Sequence, residues 1–190
     1  MSSIEITLDT QISKLRSHYR QGIKDGFIDI TLSNDLTERD LLMLIEKHKG
    51  QSYSNYLYEA VVEHKNSTVF VHEVILNAVG TRIDNSLINS IITSGKTSIE
   101  ILDKFRNNPS KSVQEHLELA YLNIRLKSKL SIEEYKEMLD MYSNDDINSN
   151  QDKRYLIASA KNTPKEILDI LSNDHYDHIS KMAKINVKQG

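Results

Sequence analysis

Apolar residues recur along this chain at helical spacing, and each run begins just after a hydroxyl side chain. Thr37, Ser67, Thr97, Ser131 and Thr163 mark five such starts, separated by 30, 30, 34 and 32 residues. Counting from each, the fourth residue is Leu41, Val71, Ile101, Tyr135 or Ile167, and the eighth is Ile45, Ile75, Phe105, Leu139 or Leu171. The seventh adds Leu44, Val74, Met138 and Ile170, with Lys104 the exception. Together these predict a buried stripe on a short helix in each unit. The hydroxyl at each start can accept a hydrogen bond from an N–H of the first turn that has no partner inside the helix. Glu100, Glu134 and Glu166 follow Thr97, Ser131 and Thr163 at capping-box spacing; Asp40 takes that place after Thr37, and no acid does so after Ser67. Pro164 is expected just inside its helix, where its missing N–H costs nothing.

A second column lies sixteen residues after each start: Tyr53, Ile83, Val113, Ile147 and Ile179. It predicts a second helix per unit with its own apolar residues, such as Leu57 and Val61, Leu87 and Ile91, or Leu117, Ala120 and Ile124. Each unit is then a helical hairpin. A lone hairpin cannot bury both stripes, so neighbours must stack, and the expected fold is all-α: a short α-solenoid of about five stacked helical hairpins with an N-terminal helical cap. Residues 1–36 form the cap, with a helix from Thr10 to Arg20 that turns Ile12, Leu15 and Tyr19 inward. Gly26 to Ile30 follows as a short helix or an extended piece. Residues 37–190 form the array, in the same single domain. The polar run from Ser143 to Asp152 reads as a longer loop before the helix containing Tyr155, Leu156 and Ala158.

The last unit, from Ala158 through Asn162-Thr163-Pro164-Lys165-Glu166-Ile167-Leu168 to Asp174 and on from His175 to Asn186, resembles the variant leucine-rich repeat and the broader HEAT-like group. A weaker echo from Ser94 to Asn123 sets Thr97, Glu100, Ile101, Leu102 and Asn107 in register with Thr163, Glu166, Ile167, Leu168 and Asn173. The resemblance covers about a third of the chain. It implies a right-handed superhelix of stacked helical pairs, used mainly as a binding surface. The spacing here exceeds that family's shorter unit. The cysteine cluster found beside some such repeats has no counterpart, nor has the cofactor it would hold.

Composition narrows the chemistry. The chain has 190 residues and no cysteine, which removes thiol nucleophiles, iron–sulfur clusters and disulfides and is compatible with a reducing cytosol. Six glycines and two prolines disfavour turn-dense sandwiches and glycine-rich cofactor loops. No window approaches 18 consecutive apolar residues and no targeting signal is visible at the start, so a cytoplasmic chain is expected and no membrane partner. The formal charge of −3, with no Lys/Arg run longer than two, makes nucleic acid a poor partner.

Three local patterns carry candidate chemistry. Ser94-Gly95-Lys96-Thr97 looks like the end of a phosphate-binding loop, but the glycine required five residues before Gly95 is Ser90; one helix ending and the next beginning explains it. Asp174, His175, Asp177 and His178 are metal-ligating residue types at close spacing, but spacing alone is weak evidence and an inter-helix loop with acids near a helix N-terminus explains them. Asp146, Asn148, Asn150 and Asp152 alternate like the opening of a calcium loop, yet Gln151 replaces its glycine and Ile157 its final glutamate. No catalytic constellation emerges, and Glu133 with Glu134 is better explained by capping. No metal or other cofactor is expected.

The expected function is non-enzymatic protein binding. Its narrower form is a cytoplasmic immunity or neutralising protein that binds and inhibits a basic partner such as a toxin. If the second helices line the binding side, Asn55, Glu59, Asn85, Asn89 and Glu115 face outward for contact. The alternatives are a HEAT-like nucleic-acid-binding or repair enzyme and a self-associating scaffold using Met182, Ile185 and Val187.

Overall fold

The computed structural model describes residues 3–26, 28–144 and 148–189. The chain is mostly helical, with eleven α-helices and a single two-stranded sheet among the described residues. It divides into two compact units, Met1–His116 and Leu117–Gly190, the division falling inside the seventh helix. None of the described helices is long and apolar enough to cross a membrane.

In the first unit, β1 (Ile4–Ile6) and β2 (Ile30–Leu32) pair in parallel, with Ile4 opposite Ile30 and Ile6 opposite Leu32. Parallel neighbours need a long crossover, and α1 (Ile12–Asp25) supplies it. It buries Leu15 and stops at Gly26, whose φ of 70° suits glycine. The stretch after Gly26 is thus the extended alternative. Phe27 lies outside the described residues, and β1 itself carried too short a pattern to predict. Next come α2 (Glu38–His48), α3 (Ser54–Glu63), α4 (Val69–Val79), a 3-10 turn (Gly80–Arg82), α5 (Asn85–Thr93), α6 (Ile99–Asp103) and the first turns of α7 (Lys111–Leu126). Helix α2 packs on α4 and α3 on α5, while α3 also meets α2, α4 and β2.

The second unit holds the rest of α7, then α8 (Ile132–Met141), α9 (Asn148–Ser159), α10 (Lys165–Leu171) and α11 (Asp177–Gln189). Here α8 packs on α10, α9 on α11, and α10 on both α9 and α11. Its core gathers Leu122, Leu126, Tyr135, Met138, Ile157, Ile167, Leu168, Leu171, Ile179 and Ala183.

The capping signals are partly displaced. Thr37 and Ser131 cap α2 and α8 with complete capping boxes through Asp40 and Glu134. At α4 and α6 the cap is one residue later, at Thr68 and Ser98, leaving the Ser67 and Thr97 hydroxyls buried without partners. Thr163 instead donates to the Ile157 carbonyl at 2.6 Å, and Pro164 occupies the cap position of α10. The expected fourth residues are all buried, and the shift adds their neighbours to the inward set. Counted from the true caps, the fourth residues are Leu41, His72, Leu102, Tyr135 and Leu168, and the seventh are Leu44, Ile75, Phe105, Met138 and Leu171. All ten are buried. Ile170, expected inside, is exposed. Ile147 lies outside the described residues. The expected loop from Ser143 to Asp152 is also shorter, because α9 already begins at Asn148.

Polar side chains stitch successive corners together within each unit. Asn66 donates to the Leu36 carbonyl (2.7 Å), Lys96 to the carbonyls of His64 (2.9 Å) and Lys65 (3.1 Å), and in the second unit Asn162 to that of Lys127 (3.3 Å). The caps make a direct test. Ser131→Ala is expected to cost about 1 kcal/mol in urea unfolding, as loss of a working cap does. Ser67→Ala, removing a buried hydroxyl without a partner, is expected to cost nothing or to stabilise.

Candidate functional site

The second helices of the first unit position the candidate contact residues. Helix α3 turns Leu57, Tyr58, Val61 and Val62 into the core, and α5 does the same with Leu87, Ile88, Ile91 and Ile92. The Tyr58 hydroxyl is satisfied by donating to the Ile45 carbonyl at 3.1 Å, and burial pushes it up to about 12. That inward set leaves Asn55, Tyr56, Glu59 and Glu63 on the other side of α3, at helical spacing. Asn85, Ser86 and Asn89 occupy the corresponding side of α5.

These residues form a ladder between consecutive second helices. Asn55 Nδ2 donates to the Arg82 carbonyl (3.1 Å) and to Asp84 Oδ2 (2.7 Å), while Asp84 Oδ1 caps α5 by accepting the Leu87 N–H at 2.9 Å. Asn108 Nδ2 donates to Asn85 Oδ1 at 3.4 Å, and Asn89 Nδ2 to Ser112 Oγ at 3.2 Å. Glu115 pairs with Lys111 one turn back, at 3.6 Å. Of the five residues expected to face outward, Asn85 is exposed, while Asn55, Glu59, Asn89 and Glu115 are half-buried. The packing of α3 on α5 brings Asn55 to the cap of α5.

The electrostatics at α3 are one-sided. Burial raises the Glu59 carboxyl above the usual carboxylate range, and the charges of Asp84 and Glu63 push the same way against a hydrogen bond from Ser86. Among the described residues no cation lies within ion-pairing distance of Glu59, Glu63 or Asp84. Beside them Tyr56 is 42% exposed and its ring lies 5.7 Å from that of Tyr19, which in turn lies 6.0 Å from the buried Tyr53. Partial burial, then Tyr19, Asp84 and Glu59, raise the Tyr56 hydroxyl, so it stays a neutral donor. The sequence signal for Tyr56 was its place between Asn55 and Glu59. Tyr19 and Asp84 had none, because they reach the face from α1 and from the cap of α5.

Elsewhere the candidate motifs are occupied by the fold. Gly95, at φ 69°, follows the end of α5, and the Lys96 ammonium is spent on the carbonyls that close α3. Asp174 is buried against Arg154, with Nε to Oδ2 at 2.8 Å, and its other oxygen accepts the Tyr176 N–H at 3.0 Å. His175 is exposed, Asp177 pairs with Lys181 at 3.2 Å, and the His178 ring stands against Tyr155 and Tyr176. No three ligating side chains converge on a metal site among the described residues. Of the calcium-like run, Asp146 and the Asn148 side chain lie outside the described residues, Asn150 is buried and Asp152 exposed.

Fold and site together give a mostly helical protein with an acidic, tyrosine-bearing face on α3. Compared with known proteins, the chain matches no family model, no curated protein and no solved structure.

Proposed function

We propose that this chain is a non-enzymatic binding module, a short right-handed α-solenoid of about five helical hairpins whose α3–α5 face holds a basic protein. The packing of first helix on first helix and second on second within each unit, together with the repeated corner bonds, supports the solenoid reading. The observation that carries the binding reading is the face itself. Glu59 and Asp84 stand without cations beside the exposed ring of Tyr56, and Glu63 follows one turn after Glu59, an arrangement suited to lysine and arginine side chains through charge and ring-face attraction. Tyrosine also supplies contact area at low ordering cost. The narrower reading, a cytoplasmic protein that neutralises a basic toxin, rests on that charge complementarity and on the acidic whole.

The test is capture from the native cell, with protein and nucleic acid read on the same eluate, followed by affinity measurement on variants. A stoichiometric basic protein is expected, bound less tightly as salt rises. Tyr56→Ala, and separately Glu59→Lys with Glu115→Lys, are each expected to weaken it at least about tenfold. Captured nucleic acid released by salt, or an affinity the variants leave unchanged, overturns the reading.

A further inference from the structure

The position four residues past the cap is apolar or aromatic in four of the five first helices: Leu41, Leu102, Tyr135 and Leu168. In α4 it is His72, wholly buried, and neither ring nitrogen has a hydrogen-bond partner. The residue before a helix cap commonly packs on this fourth residue as an apolar pair. At α2 the pair is Leu36 and Leu41, both buried; at α4 it is Ser67 and His72, both polar, buried and unpartnered. The neighbouring α2 ends on a second wholly buried imidazole, His48, whose Nδ1 meets the Tyr53 hydroxyl at 2.9 Å and whose Nε2 has no partner. Three of the four ring nitrogens on two packed helices are therefore left unsatisfied. Such groups destabilise a core that a leucine would fill at no such penalty.

We propose that His48 and His72 form an acid-sensitive release built into the first unit: neutral, the two imidazoles are tolerated inside the α2–α4 packing, and protonated they open it. An imidazolium at His72 would be buried with no acceptor, and one at His48 with none for its Nε2–H, and the charges acting on the rings are all positive. Lys47 acts on His48 and Lys96 on His72, while the Tyr53 hydroxyl is the polar group that α3 sets against His48. No carboxylate is among the groups acting on either ring. Burial first, then these lysines, lowers both histidines from 6.5 to about 4. A lowered histidine favours the folded state fully above the unfolded value, and the advantage is lost as pH falls from 6.5 towards 4. Each histidine then shifts the folded-to-unfolded ratio by up to about 300-fold across that window. Because α3 rests on both α2 and α4, opening them dismantles the α3–α5 face. Release of a bound partner on acidification rests on the binding function proposed above; the release itself does not.

The experiment uses the free chain, so it is blind to any partner. Hydrogen exchange of α2 and α4 amides and histidine ring NMR are followed from about pH 7.5 to about pH 5, above the range where ordinary carboxylates titrate. In the wild type, opening of α2 and α4 is expected to rise steeply as pH falls, with neither buried ring taking up a proton while native signals persist. His72→Leu combined with His48→Asn, which restores the apolar column and keeps an acceptor for Tyr53, is expected to flatten that rise at least about tenfold. Native-state titration of either ring near pH 6.5, or the same pH dependence in the double variant, overturns the proposal. The wild-type ring titration decides the question even if the double variant does not fold.

Discussion

Asp174→Ala is expected to destabilise the second unit by about 3–5 kcal/mol, a large share of what holds a domain together. The reason is the buried ion pair that is lost. Arg154 and Asp174 have side chains only 6% and 7% exposed, joined at 2.8 Å. Arg154 also donates Nη1 to the Tyr142 carbonyl at 2.7 Å and lies over the Tyr176 ring at 5.6 Å, so its head is held at the junction of α8, α9 and the turn before α11. Removing the carboxylate takes away the buried ion pair at Arg154 Nε and frees the Tyr176 N–H that Asp174 accepts. Replacing both partners by apolar residues of similar volume, Arg154→Met with Asp174→Leu, is expected to recover most of the loss, because the desolvation cost disappears with the pair. Asp177→Ala, three residues away but exposed and paired only with Lys181, is expected to leave stability unchanged. Urea unfolding read through the exchange of α9 and α11 amides separates these outcomes. If Asp174→Ala and Asp177→Ala behave alike, the pair is not the tie that its burial implies.

The same ion pair explains why α9 was only half legible. A helix is read from its apolar face, and α9 turns inward Asn150, Lys153 and Arg154 before it reaches Ile157 and Ala158. Lys153 is buried because Glu118 accepts from it at 2.6 Å and Tyr142 lies beneath it at 5.0 Å. The pairing partners come from 35 and 20 residues away, beyond any local pattern. By contrast the first helices announced themselves, since Leu41, Val71, Ile101, Tyr135 and Ile167 are all buried as their spacing required. The strand β1 escaped because a three-residue alternation, Ile4-Glu5-Ile6, has meaning only beside β2. For the candidate face, spacing placed Asn55, Glu59, Asn85 and Asn89 off the core side of α3 and α5. It could not show that three of them bond onward, Asn55 to the α5 cap, Asn85 to the turn before α7 and Asn89 to α7, because those partners lie 23 to 29 residues away.

Ile167→Ala is expected to cost about 2–5 kcal/mol, whereas Ile170→Ala, the same deletion three residues on, is expected to cost little. Both positions belong to an apolar stripe when α10 is counted from Thr163. The structure separates them, with Ile167 in the core and Ile170 at the surface. Ile167 is fully buried in the core of the second unit, and alanine there leaves a cavity that α8, α9 and α11 cannot close without breaking their own packing. Ile170 is 49% exposed, so much of its side chain meets water in the folded state already. A buried and exposed pair in α6 gives an independent check: Leu102→Ala is expected to be as costly as Ile167→Ala, and Ile99→Ala, at 47% exposure, as mild as Ile170→Ala. Urea midpoints of the four variants test which face of α6 and of α10 meets the core. Equal losses at 167 and 170 would mean that α10 presents both residues to the core, against their different burial.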